Sequence, residues 1–256
     1  MIHRIIVISI IYVLCNFYPF LGYSQSAEPT ARDVVQRADQ KMRGQSSQGE
    51  FSMTIVRPTW SRTVSMKSWS KGYDYSLIYI TAPAKERGQV FLKRENEMWN
   101  WIPSIERLVK IPPSMMMQSW MGSDFTNDDL LKESSMVSDY NHKMVGSEKV
   151  SGHDCYKIEM IPKEEAAVVW GKLIMWITKE GDNRLKTEYY DEDEYLMNVE
   201  TLSNIRRMDD REIPTRMEMV PVDKPGNKTV LEFHKMKFNM PLKNSFFSQQ
   251  NMKRLR

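Results

Sequence analysis

The sequence predicts a mainly β protein: a half-open antiparallel β-barrel with an N-terminal helix and a short helical lid over a hydrophobic cavity. Three observations carry this expectation. A long series of short segments alternates apolar and polar residues with a period of two, with turn residues between them. Only two stretches have the caps and spacing of helices. Between Ile111 and Leu130 an uncharged Met and Trp cluster is closed by turn and cap residues, the composition of an adaptable apolar cover.

The first segment reads as a leader. Met1 to Arg4 carries one Arg, Ile5 to Leu14 is almost unbroken apolar sequence, and Gly22-Tyr23-Ser24 has the small-x-small pattern of a cleavage site. The apolar run is about ten residues, against roughly 20 for a membrane span. Residues 1–24 are therefore expected to be a secretory signal peptide, cleaved after Ser24 or Ser26, and residues 25–256 a single domain. Leu14 before Cys15 argues against a lipid-modified Cys15. The remaining chain keeps one cysteine, Cys155, so its stability must come from its core instead of an intramolecular disulfide.

Thr30-Ala31-Arg32-Asp33 forms a capping box, Val34, Val35, Ala38 and Met42 share a face, and Gly44 ends the pattern, predicting a helix from about Ala31 to Met42. Thr126-Asn127-Asp128-Asp129 repeats the cap logic before Leu130 and Leu131. Strands are expected near Glu50 to Arg57, Ser61 to Ser70, Tyr73 to Thr81, Gln89 to Arg94, Glu97 to Ile102 and Arg107 to Ile111. A second series runs near Tyr140 to Ser147, Asp154 to Ile161, Lys172 to Thr178, Arg184 to Tyr190, Tyr195 to Ile205, Pro214 to Pro221 and Thr229 to Lys237. Turn pairs such as Lys71-Gly72 and Ser151-Gly152 join them as an antiparallel meander.

Several strands carry large apolar side chains on one face, and these are the expected cavity residues: Trp99, Trp101, Met175, Met217, Met219 and Phe233. Met115, Met116, Met117, Trp120, Met121 and Phe125 are the expected lid, with Gly122 as its hinge. The same pattern also suits a barrel filled by its own side chains.

Catalytic constellations are thin. His142, His153 and His234 lack metal-ligand spacing, and there is no nucleophile elbow or phosphate-binding glycine loop, so no enzyme activity and no cofactor are expected. Asp191-Glu192-Asp193-Glu194 lacks the glycine and terminal glutamate of a calcium loop and reads as a solvated hairpin tip. Cys155 reads as a lone thiol on a surface side or at a sheet edge. The net charge of +3 is dispersed among acids, which argues against nucleic acid as a partner.

Four runs carry a resemblance: Thr81-Ala82-Pro83-Ala84-Lys85-Glu86-Arg87-Gly88, Met98-Trp99 with Ile102-Pro103-Ser104, Met121 to Leu130, and Pro214-Thr215-Arg216-Met217-Glu218-Met219. In this order they resemble a longer branch of the outer-membrane lipoprotein-sorting protein family, the LolA-like proteins of the bacterial periplasm. The resemblance spans Thr30 to the C-terminus. It implies a half-open barrel over an acyl-chain cavity and a periplasmic monomer. Its expected cargo is a lipid or an acylated lipoprotein, and its expected partners are an inner-membrane exporter or an outer-membrane acceptor. Arg87 and Arg216 lie inside these runs and are the expected polar rim; Arg62, Arg94 and Arg107 are weaker choices for a head group or a lid carbonyl. The alternative function is a periplasmic sensor that binds lipid and regulates a membrane partner.

Overall fold

The computed structural model describes residues 28–132, 135–166 and 168–255. The expected signal peptide, residues 1–24, lies outside them. Every strand expected from the sequence is present, and all belong to one 13-stranded antiparallel sheet. In chain order these are β1 (Ser46–Arg57), β2 (Trp60–Lys71), β3 (Tyr75–Ala82), β4 (Val90–Arg94), β5 (Glu97–Ile102) and β6 (Arg107–Ile111). They are followed by β7 (Tyr140–Val150), β8 (His153–Pro162), β9 (Lys172–Thr178), β10 (Arg184–Tyr190), β11 (Leu196–Met208), β12 (Arg211–Pro221) and β13 (Lys228–Phe238).

Sheet order is β6-β5-β4-β3-β2-β1-β13-β12-β11-β10-β9-β8-β7. Neighbours are consecutive in the chain except where β1 meets β13, pairing Met53 with Leu231. The two arms therefore fan out from the β1/β13 seam, and β6 and β7 are free edges. The sheet is not closed. Topology then dictates where the Met and Trp segment goes: it links β6 to β7 and must cross the gap between the two edges. Exposed edges offer unpaired backbone groups, and a chain segment laid across them is one way to protect them.

Helix α1 (Ala31–Arg43) begins at the expected capping box, with the Asp33 amide donating to Thr30 Oγ1 over 3.2 Å. It stops at Gly44, whose φ of 65° is a conformation that costs a side chain but not glycine. Val34, Val35 and Ala38 are buried on one face, and the helix lies against β7, β9 and β12. Arg37 reaches Asp182 at 3.1 Å and Arg211 Nη1 donates to the Lys41 carbonyl at 3.1 Å, tying the helix to the β9–β10 turn and to β12.

Successive strand residues point to opposite faces, so burial separates the faces cleanly. Ile78, Phe91 and Met98 of one arm join Met160, Leu173 and Met175 of the other in a single buried cluster with α1. The sheet must bend to bring these arms together, and this is its inner face. Leu77, Leu92 and Trp99 belong to a second cluster on the outer face, covered by Phe246, Phe247 and Met252 after β13. Trp99 and Trp101, expected in the cavity, are thus outer-face residues. Their shared face was legible from the period, but a period of two does not say which face turns inward. Cys155 is fully buried with Ile174, Trp176 and Leu185, in a third cluster, instead of lying open on the surface. Burial also pushes its thiol up, away from the reactive thiolate.

Candidate functional site

The inner face, α1 and the crossing segment enclose a cavity of about 240 Å³. Phe51, Ile78, Met175, Met217, Leu231 and Phe233 line it from the sheet, and Val35, Ala38 and Met42 line it from α1. Phe125 and Leu130 close it from the crossing segment. Flexible Met side chains make this a wall that can change shape at low cost.

The crossing segment is folded tightly. Trp120 is 1% exposed and its ring sits 5.1 Å from that of Phe91. Its amide donates to the Phe125 carbonyl at 2.8 Å, closing a loop in which Met121 and Gly122 both have positive φ, 51° and 77°. The residues after Met121 each have a local task. Asp124 accepts from Arg57 Nη1 at 3.0 Å and from Thr229 Oγ1 at 2.6 Å. Asn127 Nδ2 donates to the Met115 carbonyl at 2.8 Å. The Thr126 amide donates to Asp129 Oδ2 at 2.8 Å and the Asp129 amide to Thr126 Oγ1 at 3.1 Å, a second capping box, which starts the single wide π turn Asp128–Lys132. The expected lid helix is that one turn. Arg57 Nη2 also donates to the Gly122 carbonyl at 2.8 Å, and Arg62 donates to that of Met121 while pairing with Glu86 at 3.0 Å. Two guanidiniums from the β1–β2 hairpin thus latch the loop.

The sequence-expected residues divide as follows. Phe125, Met175, Met217 and Phe233 stand in the cavity wall. Met116, Trp120 and Met219 are buried in the inner cluster, and Met115 and Met121 pack partly buried against it. Met117 is 70% exposed and points away. Arg87 donates to the Thr81 carbonyl at 2.9 Å, holding its own turn. Arg216 lies on the face opposite Met217 and pairs with Glu218 and Glu232, so it does not form a cavity rim. Arginine is equally at home on a solvated strand face, and adjacency to Met217 places it there by alternation.

Sequence reasoning missed Arg57 and a polar group inside the cavity. Arg184 Nη2 meets Glu200 Oε2 at 3.2 Å, and Tyr189 donates its hydroxyl to the same oxygen at 3.2 Å. Trp170 Nε1 donates to Asp129 Oδ1 at 3.2 Å. Glu200 is 2% exposed. Burial pushes the carboxyls of Glu200 and Asp129 up, opposed at Glu200 by the guanidinium of Arg184, and pushes the Tyr189 phenol well up. One signal was available: Glu200 shares strand parity with Leu202, an inward position where a charge is out of place.

Solved structures share this architecture. A DUF1329 family protein from Desulfovibrio piger is 27% identical with a TM-score of 0.78, covering 87% of this chain and 97% of its own. A domain from Vibrio parahaemolyticus named for outer membrane lipoprotein sorting is 22% identical, with a TM-score of 0.77 over 87% of this chain and 98% of its own. A LolA superfamily protein from Nitrosomonas europaea is 24% identical, with a TM-score of 0.76 over 87% of this chain and 99% of its own. Comparison with curated proteins gives no match. The open 13-stranded sheet with its covered inner face is the fold that these three structures share. Residues 72–254 match the model of a family described as an uncharacterized protein, and the chain belongs to that family.

Proposed function

We propose that this protein is a periplasmic carrier that holds acyl chains of a lipid or lipoprotein in its inner cavity on the way to the outer membrane. The observation that carries the reading is an apolar, Met-lined cavity whose cover is a chain segment hung between two unpaired sheet edges. The leader expected in residues 1–24 would deliver the chain to that compartment, with residues 25–256 acting as one unit. An exporter in the inner membrane or an acceptor in the outer membrane would supply and receive the cargo.

Energetics suit a shuttle. Each buried methylene contributes roughly 0.8 kcal/mol, so a long chain gains on the order of 12 kcal/mol, nearly what the bilayer offers. Transfer is close to neutral, and direction comes from the partners' different affinities. The resting cavity of about 240 Å³ is below the roughly 300 Å³ at which ligand pockets begin, so loading requires the wall or cover to yield. Met115, Met121 and Phe125 would move with the cover about Gly122, Met116 and Trp120 would re-seat on the chain, and Met175, Met217, Met219 and Phe233 would form its bed.

The test is binding of an environment-sensitive fatty-acid probe to wild type and to Met217→Glu, with folding checked by circular dichroism. A folded variant that binds as well as wild type rejects the cavity as the chain site.

A further inference from the structure

Along most of the chain the basic residues are mixed with acids, but from Phe233 onward it carries six of the 36 Lys and Arg and none of the 33 Asp and Glu. A charge asymmetry of this kind marks a segment that meets a polyanion or a membrane surface. After β13 that segment is the cover of the outer face. We infer that this cover docks on anionic phospholipid, holding a lipid phosphate in the groove between the 3-10 turn Asn244–Phe246 and the short helix α2 (Gln249–Met252). The contact is additional to acyl-chain carriage and does not depend on it.

The groove has a volume of about 450 Å³, inside the roughly 300–1,000 Å³ of ligand sites. Lys243 and Arg254 line it together with Ser245, Ser248, Leu242 and Phe246, and no carboxylate is among its lining residues. Both cations are exposed, and among the described residues neither pairs with a carboxylate. Glu95 borders the cover without lining the groove: the Tyr75 hydroxyl donates to it at 3.4 Å and accepts from Asn244 Nδ2 at 3.2 Å. A further cation, Lys253, stands with Nζ 5.2 Å from the centre of the Trp101 ring.

The walls are held before any ligand arrives, which lowers the ordering cost of binding. Phe247 and Met252 anchor the cover in the outer cluster, 0% and 1% exposed. Asn251 Nδ2 donates to the Phe246 carbonyl at 2.8 Å, its amide donates to Ser248 Oγ at 3.2 Å, and Lys71 Nζ donates to Asn244 Oδ1 at 2.7 Å. A guanidinium fork matches two phosphate oxygens, and an ammonium adds a compact second charge. Leu242 and Phe246, half-buried beside these cations, suit the glycerol and first methylenes of a lipid, which an inorganic ion lacks. Nucleic acid fits less well, because base stacking needs a free ring and Phe246 already lies 5.5 Å from Trp69 and 5.3 Å from Phe247. Docking through the outer face leaves α1 and the crossing segment uncovered.

The experiment sediments residues 25–256 with sucrose-loaded vesicles of phosphatidylcholine, alone or with about 30% phosphatidylglycerol, in about 0.05 M NaCl. Wild type is expected to partition at least about tenfold more strongly onto the phosphatidylglycerol vesicles, and to lose that preference at about 0.5 M NaCl. Lys243→Gln with Arg254→Gln should weaken this partitioning about tenfold. Lys143→Gln with Lys149→Gln removes the same charge from β7 and should leave it unchanged. Equal partitioning of wild type onto both vesicles overturns the inference. So does an equal loss in the two double variants, which would make net charge and not the groove responsible. Release from the vesicles by about 10 mM inorganic phosphate at matched ionic strength overturns the membrane in favour of a free ion. Release by a single-stranded oligonucleotide overturns it in favour of nucleic acid. No fatty-acid probe is involved, so this outcome and that of the acyl-chain test are read separately.

Discussion

The inner and outer faces of β3 to β5 both bury apolar side chains, but they are covered differently, and the Met-lined cavity lies on the inner one. On the outer face Phe247 is fully buried, its ring 5.4 Å from Tyr75, and Phe246 sits 5.5 Å from Trp69. That cover is the chain immediately after β13, free to follow the strands and fill the spaces between Trp69, Trp99 and Trp101. The inner face is covered by α1 and by a segment held at the two sheet edges, and neither can settle onto every strand. An apolar face therefore reports burial, whereas vacancy depends on how its cover is anchored.

The largest expected effect lies on the closed side. Phe247→Ala should cost about 3–5 kcal/mol in denaturant unfolding, as for a well-packed aromatic core residue, without changing fatty-acid probe affinity in the folded protein. Lost binding in that variant would show that the two faces are not independent. On the open side, Arg57→Ala strips a partner from Asp124, whose side chain is 7% exposed. The expected loss is about 3 kcal/mol, accompanied by faster amide exchange from Trp120 to Phe125 than in the outer cluster. Uniform acceleration across the sheet would mean the latch is ordinary core structure.

The cavity's polar group predicts a pH signature that the outer face lacks. A carboxyl raised by burial binds its proton more tightly in the folded state, so its contribution is fully present below the ordinary carboxylate range. It is lost as pH rises through the raised value. Wild type should accordingly lose Tm relative to Asp129→Asn as pH increases from about 4 to about 8. A constant difference between the two would remove Asp129 from that account. The smallest effect is at Gly122, where an added Cβ meets nothing within 4 Å but φ is 77°. Gly122→Ala should cost about 1 kcal/mol through backbone strain alone and slow probe uptake more than it weakens final affinity. Unchanged uptake kinetics would leave Gly122 as a turn residue and not a hinge.

Legibility followed the range of each interaction. The capping boxes at Thr30 and Thr126 were readable because both partners lie three residues apart. The strands were readable because alternation is a local property. Trp99 and Trp101 went to the wrong face because alternation has no absolute direction, Arg216 was expected at the rim although its place beside the inward Met217 puts it on the opposite face, and Met117 follows a 3-10 turn at Pro113–Met115 and is exposed. Arg57 escaped notice because its partner Asp124 is 67 residues away. Glu200 could have been read as inward from its parity with Leu202, but Arg184, its partner, lies on another strand, and nothing near either residue in the chain joins the two.

The strands, both caps, the meander and the adaptable segment between β6 and β7 were already written in the chain, all set by backbone preferences and side-chain periods within a few residues. Tertiary structure alone decided that β1 pairs with β13, that the sheet stays open, and which face turns inward. From those follow a cavity with a charged group in its wall and an outer face covered by the C-terminal chain. These are outcomes of long-range burial, in which the cover available to each face determines the space that remains beneath it.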